Sequence, residues 1–432
     1  MRKVNIGLVG CGTVGSGVVQ GLARNGSLMG SRLGVKLSLA GVAVRNAGKA
    51  RAARVAKRLI TTDWESLVCD PKIDVVMELM GGTTTARKVV AESLKLGKPV
   101  ITANKALISA HGESIFRQVK KNGGNLYYEA AVAGGIPIIK SLREGLSGNR
   151  IQRLYGILNG TCNYILTQME AEGRDFEDIL VEAQRMGYAE AEPSLDVDGL
   201  DAQHKAGILA SLAHGFWIKP SQIFVEGIRH ITTLDIEFAR RMGYCIKLLG
   251  IVKKMGGKVQ IAVHPALVPE KHVLANVSGV YNAILVRGDI VGDTLHYGQG
   301  AGADATASAV LSDLADAALD LKNQSMGRVP PFVPYEEEGS VLPMDKAVSP
   351  FYLRLSVIDR PGTLAKIATI LGEAKIGICS VMQPEGHVGE SVPLIMMLHF
   401  GPDAAMQKAL KRIARLSAVK AKPTMIRVEN FD

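Results

Sequence analysis

The chain has 432 residues, of which 47% are hydrophobic and 21% are charged, a balance that supports a buried core. At about 150 residues per domain this length predicts two or three domains, and the composition excludes an intrinsically disordered chain. The 47 glycines follow no three-residue period, which excludes a collagen-like helix.

The chain is basic, with 51 Lys and Arg against 41 Asp and Glu and a formal net charge of +10. The basic residues are spread along the sequence, and their densest stretches, residues 45–58 and 408–422, contain no aromatic residues. A nucleic-acid surface usually concentrates its charge. We therefore expect no nucleic-acid partner, and we attribute the charge to phosphorylated or acidic small molecules.

The sequence gives no sign of a membrane or an oxidising compartment. No uncharged apolar run reaches the roughly 18 residues that a membrane span needs. Residues 1–7 lack the apolar core of a secretory signal. The five cysteines are scattered, which argues against a disulfide framework and a zinc site. We expect a cytoplasmic protein with no membrane partner.

The sharpest local motif lies near the N-terminus. The apolar run Val4 to Val9 is followed by Gly10, Gly12 and Gly15, the first, third and sixth residues of a short loop, and then by a helical stretch, Ser16 to Arg24. A strand, this glycine spacing and a helix are typical of a dinucleotide site, where a pyrophosphate meets the helix N-terminus. Glycines alone would also fit a structural turn, so the prediction depends on the strand and helix around them.

The second predicted strand, Val35 to Val44, ends at Arg45 instead of an acidic residue. An Asp or Glu at this point binds the ribose hydroxyls of NAD, whereas a cation accommodates the 2′-phosphate of NADP. The sequence therefore favours NADP, with NAD as the alternative cofactor. A solvated arginine at a strand end is the other interpretation of Arg45.

Strands and helices continue to alternate after this motif. We predict strands over Ile73–Leu79 and Pro99–Thr102, a helix over Thr83–Leu96, and a further helix that opens at Asn104. This alternation predicts a parallel, doubly wound sheet, whose ligands bind at the carboxyl edge of the strands. A long helix, Asp304 to Lys322, is expected to pack back on this domain.

The last quarter of the chain has a different pattern. Residues 323–349 are rich in proline and acidic residues and predict a linker. A strand over Phe351–Ile358, a helix over Ala365–Ala374 and a strand over Leu394–Phe400 follow. This order predicts a separate small domain.

A cluster of five carboxylates lies between Glu190 and Asp201, after a predicted helix that ends at Gly187. Asp201 and Lys205 stand one turn apart at the start of a helix that is apolar nearly all round, so we expect this helix to be buried. A buried charged pair beside a carboxylate-rich loop suits the ammonium group of an amino acid. A surface salt bridge is the alternative interpretation.

Together with the glycine loop, five spaced motifs resemble those of the homoserine dehydrogenases, over almost the whole chain. They are residues 102–105, 129–137, 156–164, 190–205 and 297–302. Cys162 and Glu192 depart mildly from the family pattern, where threonine and aspartate are common. Residues from Phe351 to about Val428 resemble an ACT domain, an amino-acid-sensing module.

The resemblance implies an α/β protein with a Rossmann-type doubly wound parallel sheet, an α+β substrate and dimerisation domain, and a ferredoxin-like ACT domain. The implied boundaries are 1–133 with 300–322, 134–299, a linker over 323–349, and 350–428. The implied reaction is the interconversion of L-homoserine and L-aspartate 4-semialdehyde with NAD(P), in the pathway to threonine, methionine and isoleucine. A homo-oligomer, either a dimer or a tetramer, is also expected. Two roles are open for the ACT domain, a sensor for L-threonine as effector and an oligomerisation module, and the two are compatible.

The same resemblance assigns roles to individual residues. The catalytic group would be Lys205 as proton donor, Lys105 as a second functional lysine, and Asp201. The substrate would meet Glu190, Asp196, Asp201 and Lys105. Together with the motif and sheet-edge arguments, the cofactor residues are Gly10, Gly12, Thr13, Val14, Gly15, Arg45, Thr83, Lys105, Gly187 and Gly302. A monovalent cation, sodium or potassium, would lie near Glu129, Val132, Gly134 and Ile136, mostly on backbone carbonyls.

Two other functions fit parts of the sequence. An aspartate-semialdehyde dehydrogenase needs a nucleophilic cysteine with a basic partner, and Cys162 has no histidine near it in sequence. A cofactor-binding amino-acid sensor without catalysis is the second alternative. Such a sensor would not need Lys105, Asp201 and Lys205 together.

Overall fold

The computed structural model describes residues 1–48, 54–336, 339–384 and 390–431. Positions 337 and 338 of the predicted linker and 385–389 of the predicted C-terminal domain lie outside the described residues. The chain divides into two units, which we treat separately. The first comprises Met1–Leu154, His204–Ser221 and Asn282–Gly339, and the second comprises Tyr155–Gln203, Gln222–Tyr281 and Ser340–Asp432.

A six-stranded parallel sheet forms the centre of the first unit, in the order β3-β2-β1-β4-β5-β6. Its strands are β1 Arg2–Val9, β2 Val35–Ala43, β3 Ile60–Thr61, β4 Val75–Glu78, β5 Val100–Thr102 and β6 Leu126–Tyr127. Val75 and Met77 pack into one apolar core and Val76 packs into another on the opposite face. Both faces are therefore covered, which explains the continuous apolar strands and confirms the predicted doubly wound sheet.

Helices cover this sheet. Those of the first unit that bear on the site are Thr13–Leu33, Trp64–Cys69, Thr84–Lys95, Lys105–Asn122, Ile138–Lys140 and Ala303–Asn323. The last of these packs on the first: a Cβ atom added at Gly17 would lie 2.6 Å from the Ala303 carbonyl oxygen. The predicted return of this helix to the nucleotide-binding sheet is confirmed.

The remaining strands and helices follow in chain order. The strands are β7 Ile151–Ile157, β8 Phe224–Val225, β9 Tyr244–Met255, β10 Lys258–Pro269, β11 Tyr281–Gly288, β12 Gly292–Gln299, β13 Val341–Leu342, β14 Val348–Ile358, β15 Ile378–Met382, β16 Ser391–Pro402 and β17 Thr424–Val428. The helices are Gly160–Glu172, Phe176–Arg185, Ser194–Val197, Leu200–His214, Thr233–Arg241, Thr363–Glu373 and Asp403–Ile413.

The C-terminal part of the second unit has the element order βαββαβ. Its strands lie side by side as β17-β14-β16-β15, and each neighbouring pair is antiparallel. This is the ferredoxin-like arrangement. The predicted strands β14 and β16 and the helix between them are confirmed, whereas β15, the helix Asp403–Ile413 and β17 were not predicted from the sequence.

Strand β17 also pairs with β10, in parallel, through Ala266 with Arg427 and Leu267 with Val428. The four C-terminal strands therefore continue into the long β9–β10 hairpin of the same unit. In the first unit, the segment predicted as a linker is packed where it is described, since the Phe332 ring lies 5.6 Å from those of Phe116 and Trp217. Within the described ranges, helices long and apolar enough to cross a bilayer are absent.

Two glycines of the helix Thr13–Leu33 give a matched test of this packing. A Cβ at Gly17 would meet the Ala303 carbonyl, whereas a Cβ at Gly26 would meet nothing within 4 Å. We expect Gly17→Ala to lower the free energy of unfolding by about 1–3 kcal/mol, because the helices must move apart. Gly26→Ala should raise it by about 0.5–1 kcal/mol through the loss of backbone entropy in the unfolded chain. Urea unfolding measures both, and equal effects would contradict the packing argument.

Candidate active site

The first and third glycines of the dinucleotide motif are required by packing. Gly10 has a φ of +99°, and a Cβ there would lie 2.5 Å from the Leu79 carbonyl oxygen. A Cβ at Gly15 would lie 2.4 Å from the Gly10 carbonyl oxygen. The Gly10 N–H donates to the Ala43 carbonyl at 2.9 Å. The turn is therefore held at the carboxyl edge of the sheet, between the ends of β2 and β4.

The second glycine, Gly12, has the opposite environment. It is exposed, and a Cβ added to it would meet nothing within 4 Å. Gly12 precedes Thr13 and Val14 at the start of a 21-residue helix whose first turn contains no acidic residue and which has no side-chain cap. Open space at the positive end of a helix is suited to an anionic group such as a pyrophosphate.

A cleft of about 460 Å³ adjoins this turn, between the ends of β1, β2 and β4. Gly10, Gly12 and Arg45 line it, together with the Trp64 ring, and the described residues of its lining include no carboxylate. The Arg45 side chain is exposed. The cleft therefore has the volume and the charge to hold a phosphorylated nucleotide.

Two further predicted cofactor residues lie at helix starts in the same unit. Gly302, with a φ of +117°, is exposed and precedes the helix Ala303–Asn323, whose first residue touches Gly17 of the dinucleotide helix. Thr83 precedes the helix Thr84–Lys95 at the carboxyl end of β4. The structure thus brings Gly302 next to the dinucleotide helix and places Thr83 at the ligand-binding edge of the sheet.

A buried acid organises the start of the helix that carries Lys105. Glu78 is fully buried at the end of β4, and its Oε2 accepts from the Thr102 hydroxyl at 2.7 Å. The Thr102 oxygen accepts from the Asn104 N–H at 3.1 Å, and the Asn104 side chain caps the helix by accepting from the Leu107 N–H at 3.0 Å. Burial raises the pKa of Glu78. Sequence reasoning missed this residue, although an acid that ends an apolar strand is a signal for it.

The predicted cation residues lie in one turn of the first unit. Burial raises the pKa of Glu129 to about 7, although its two carboxylate oxygens accept from the Ile139 and Lys140 N–H groups at 2.8 and 2.7 Å. Its side chain therefore caps a helix start. The main-chain carbonyls of Glu129 and Ile136 each accept one N–H bond, which leaves each a second lone pair.

The turn between these two carbonyls is left-handed, at Ala133 and Gly134, and Val132 is fully buried. Carbonyl oxygens on a tight turn match the oxygen ligands that hard cations prefer. In the described ranges, groups of three or more His, Cys, Asp or Glu residues suited to a metal ion are absent.

In the second unit, one amide joins two of the five clustered carboxylates. The Asn159 Nδ2 donates to Asp196 Oδ1 at 2.7 Å and to Asp201 Oδ2 at 2.9 Å. The Asn159 Oδ1 accepts from the Cys162 N–H at 2.8 Å and so caps the helix Gly160–Glu172. Asn159 lies within the family motif at residues 156–164, but the sequence alone assigns no role to it.

The other three carboxylates have different surroundings. Asp198 pairs with Arg229, with 2.6 Å between Oδ1 and Nε. Glu192 accepts from the hydroxyl and the N–H of Ser194, which lowers its pKa. Glu190 is exposed, and Gln184 donates to its main-chain carbonyl at 3.1 Å. Gly187, with a φ of +77°, follows the helix Phe176–Arg185, which confirms its predicted role as a helix stop.

The helix Leu200–His214 is buried, as its apolar sequence predicted. Asp201 and Lys205 lie one turn apart on it and are only 7% and 8% exposed. These values exclude the alternative of a surface salt bridge. In the helix Gly160–Glu172, Cys162 is fully buried and its thiol donates to the Asp196 carbonyl at 3.2 Å, an environment suited to packing.

The sequence matches the models of one protein family and curated members of that family. The family model "Homoserine dehydrogenase" matches residues 137–315, and the model of the homoserine dehydrogenase NAD-binding domain matches residues 10–129. A homoserine dehydrogenase of Pseudomonas aeruginosa is 42% identical over the whole of both chains.

Solved structures agree with these matches. A homoserine dehydrogenase from Thiobacillus denitrificans superposes with a TM-score of 0.95 at 43% identity, covering 100% of this chain and 99% of that one. A hyperthermophilic archaeal homoserine dehydrogenase, solved in complex with NADPH, has a TM-score of 0.62 at 28% identity and covers 74% of this chain and 98% of its own.

Because Gly12 and Gly15 have contrasting surroundings, substitutions at these two positions distinguish an effect on cofactor binding from an effect on stability. We expect Gly12→Ala to keep a melting temperature near that of the wild type but to weaken NADPH binding about tenfold or more, because its methyl group occupies the approach to the helix N-terminus. Gly15→Ala should instead lower the melting temperature, because its methyl group meets the Gly10 carbonyl. Nicotinamide fluorescence and thermal unfolding measure the two effects. Unchanged NADPH affinity in Gly12→Ala would contradict this assignment.

Proposed function

The chain belongs to the homoserine dehydrogenase family of NAD(P)-dependent oxidoreductases, and we propose that it interconverts L-aspartate 4-semialdehyde and L-homoserine. The observation that carries this proposal is the pair of carboxylates, Asp196 and Asp201, joined by the Asn159 amide. The amide adds no charge of its own to the pair, and we assign the pair to a cationic ligand. Both substrates are amino acids that carry an ammonium group.

We assign the substrate's ammonium group to Asp201 and Glu190, and we place Asp196 beside the reacting group. Asp201 is buried, so its attraction for a cation is screened little by water. Glu190 is exposed at the rim of the same loop.

The chemistry requires a hydride and a proton. When bound, the nicotinamide supplies the hydride to the aldehyde carbon, or accepts it from the alcohol in the reverse direction. We assign the proton to Lys205, whose ammonium donates to the aldehyde oxygen as that oxygen becomes an alkoxide. Its positive charge also stabilises the developing negative charge. Lys105, held at its helix start by Asn104 and Thr102, is the second functional lysine.

The cofactor is assigned to Gly10, Gly12, Thr13, Val14, Gly15, Arg45, Thr83, Lys105, Gly187 and Gly302. Arg45 in the lining of an acid-free cleft supports NADP over NAD. The NADPH complex of the archaeal relative agrees with this preference. A sodium or potassium ion would be held by Glu129, Val132, Gly134 and Ile136 through carbonyl oxygens, and would stiffen the turn of the first unit.

The remaining assignments extend to regulation and physiology. The βαββαβ order of residues 348–428 supports an ACT domain, and we propose L-threonine as its effector. Four further points stay predictions. They are the domain boundaries, the place in threonine, methionine and isoleucine synthesis, the homo-oligomer and the cytoplasmic location. An amino-acid sensor without turnover is the alternative, and the burial of both Asp201 and Lys205 favours the enzyme.

The decisive assay follows NADP reduction by the purified protein with L-homoserine, in sodium and in potassium buffers, with and without L-threonine. Reduction supports the proposed reaction, and a fall in rate with threonine supports the effector. A folded protein that binds NADPH but reduces no NADP in either buffer would favour the sensor.

Substitution of Lys205 tests the assignment of the proton donor. We expect Lys205→Ala to lower kcat by about 10²–10⁴-fold, the range of general acid–base catalysis, with NADPH affinity unchanged. Lys205→Arg keeps the charge but holds its proton too firmly to donate it, so it should recover little of this loss. Steady-state kinetics and nicotinamide fluorescence measure the effects. A wild-type kcat in Lys205→Ala would remove the assignment.

Substitution of Arg45 tests the cofactor preference. Arg45→Ala should weaken NADPH binding by about tenfold or more, because the 2′-phosphate loses a charge-assisted hydrogen bond, and should leave NADH binding nearly unchanged. Arg58→Ala, another exposed arginine of the same unit, is the control. An unchanged ratio of the two affinities in Arg45→Ala would show that Arg45 does not set the preference.

A further inference from the structure

A short segment of the second unit packs against the helix Ser194–Val197, which carries Asp196. We call residues 224–235 the connecting segment. A Cβ added at Gly227 would lie 2.2 Å from the Val197 carbonyl oxygen, so the two backbones are in direct contact. The Ile228 N–H donates to this carbonyl at 2.9 Å. Arg229 binds Asp198 at 2.6 Å, so backbone and side chains both hold the connecting segment against the helix Ser194–Val197.

The C-terminal strand β17 holds the same segment from another direction. The Arg427 side chain is only 2% exposed, and its Nη1 lies 2.9 Å from Glu226 Oε2. Its Nε and Nη2 donate to Asp403 Oδ1 at 3.0 and 2.7 Å, and its guanidinium lies 4.8 Å from the centre of the Phe224 ring. One buried cation therefore fixes Glu226, the residue immediately before Gly227.

The far end of the connecting segment has a second anchor of the same kind. Asp235 is fully buried and accepts from Arg354 Nε at 2.6 Å and Nη2 at 2.9 Å. Arg354 belongs to β14, the neighbour of β17. Two guanidinium groups of the C-terminal strands thus hold the connecting segment near both of its ends. The residues between these ends contact the helix Ser194–Val197.

We propose that Arg427 and Glu226 are positioning residues for the amino-acid substrate: Arg427 fixes Glu226, and the backbone after Glu226 fixes the helix that carries Asp196. This inference rests on the proposed function, because it takes Asp196 and Asp201 as the substrate-binding carboxylates. Neither residue is required to touch the substrate. Their effect passes through Gly227, which has no side chain to separate the two backbones.

The test compares Glu226→Gln and Arg427→Met with the wild-type full-length chain. Gln keeps the size of Glu226 and an acceptor oxygen but loses its charge, and Met fills part of the volume of Arg427 without charge. We expect the KM for L-homoserine to rise about tenfold in both variants while kcat stays within about threefold, the pattern of weakened ground-state binding. The Kd for NADPH should not change.

A buried ion pair elsewhere in the same unit provides the control. Lys253 binds Glu429 at 2.6 Å, and neither side chain is more than 19% exposed. We expect all three variants to have a lower melting temperature than the wild type. Lys253→Met should nevertheless leave the KM for L-homoserine within about twofold of the wild type, because the Lys253–Glu429 pair does not hold the connecting segment. Two results would overturn the proposal: an equal rise of KM in all three variants, or no rise of KM in Glu226→Gln and Arg427→Met.

Amide hydrogen exchange provides a readout that does not depend on turnover. In Glu226→Gln, exchange should become faster in peptides that cover residues 193–201 and 225–229, and in Lys253→Met it should stay at the wild-type rate there. If the wild type does not oxidise L-homoserine, the proposed function fails, and exchange alone then decides whether Arg427 and Glu226 hold this loop. Wild-type exchange in Glu226→Gln would overturn the positioning role.

Discussion

One neutral amide joins two carboxylates of the second unit, Asp196 and Asp201, and the proposed substrate site depends on this contact. Asp196 and Asp201 both accept from the same side-chain amide. The Asn159 amide supplies both hydrogen atoms, and its oxygen caps the following helix. A guanidinium in its place would hold the carboxylates equally well but would cancel their charge. A neutral bridge therefore joins the two carboxylates without adding a charge of its own, which is why we propose them for an ammonium group.

The sequence predicted well those features that depend on local pattern. Continuous apolar strands, alternating helices and the glycine spacing identified the parallel sheet, because a strand covered on both faces has few alternatives. The roles of the five acidic residues between Glu190 and Asp201 were beyond such reasoning. Asp198 meets Arg229 and Asp196 meets Asn159, partners that lie 31 and 37 residues away. Only the folded chain shows which of these carboxylates pairs with a guanidinium and which accepts from an amide.

The C-terminal strands illustrate a second limit of sequence patterns. Strand β14 alternates and was predicted, but β17 contains Arg427, whose charge argues against a buried strand even though its side chain is 2% exposed. A buried arginine is stable only with partners, here Asp403 and Glu226, and both are distant in sequence. Strand β15 was missed for another reason: its three middle residues, Cys379, Ser380 and Val381, are all exposed, and its end residues are only partly buried.

Several acidic side chains of the two units have different partners. In the first unit Glu78 and Glu129 accept from N–H and hydroxyl groups, and burial raises the pKa of both carboxyls. These acids hold turns and helix starts within a single sheet. In the second unit Asp235 and Asp403 are buried and Glu226 is partly buried, and all three are bound by arginines of β14 and β17.

A guanidinium donates in several directions at once, so it can join strands and loops that share few backbone hydrogen bonds. That property matters at β17, whose register with β10 extends over only two residue pairs. The attachment of the C-terminal strands therefore depends on Arg427 as well as on the backbone. We therefore expect a change at this junction to reach the helix Ser194–Val197 through Glu226.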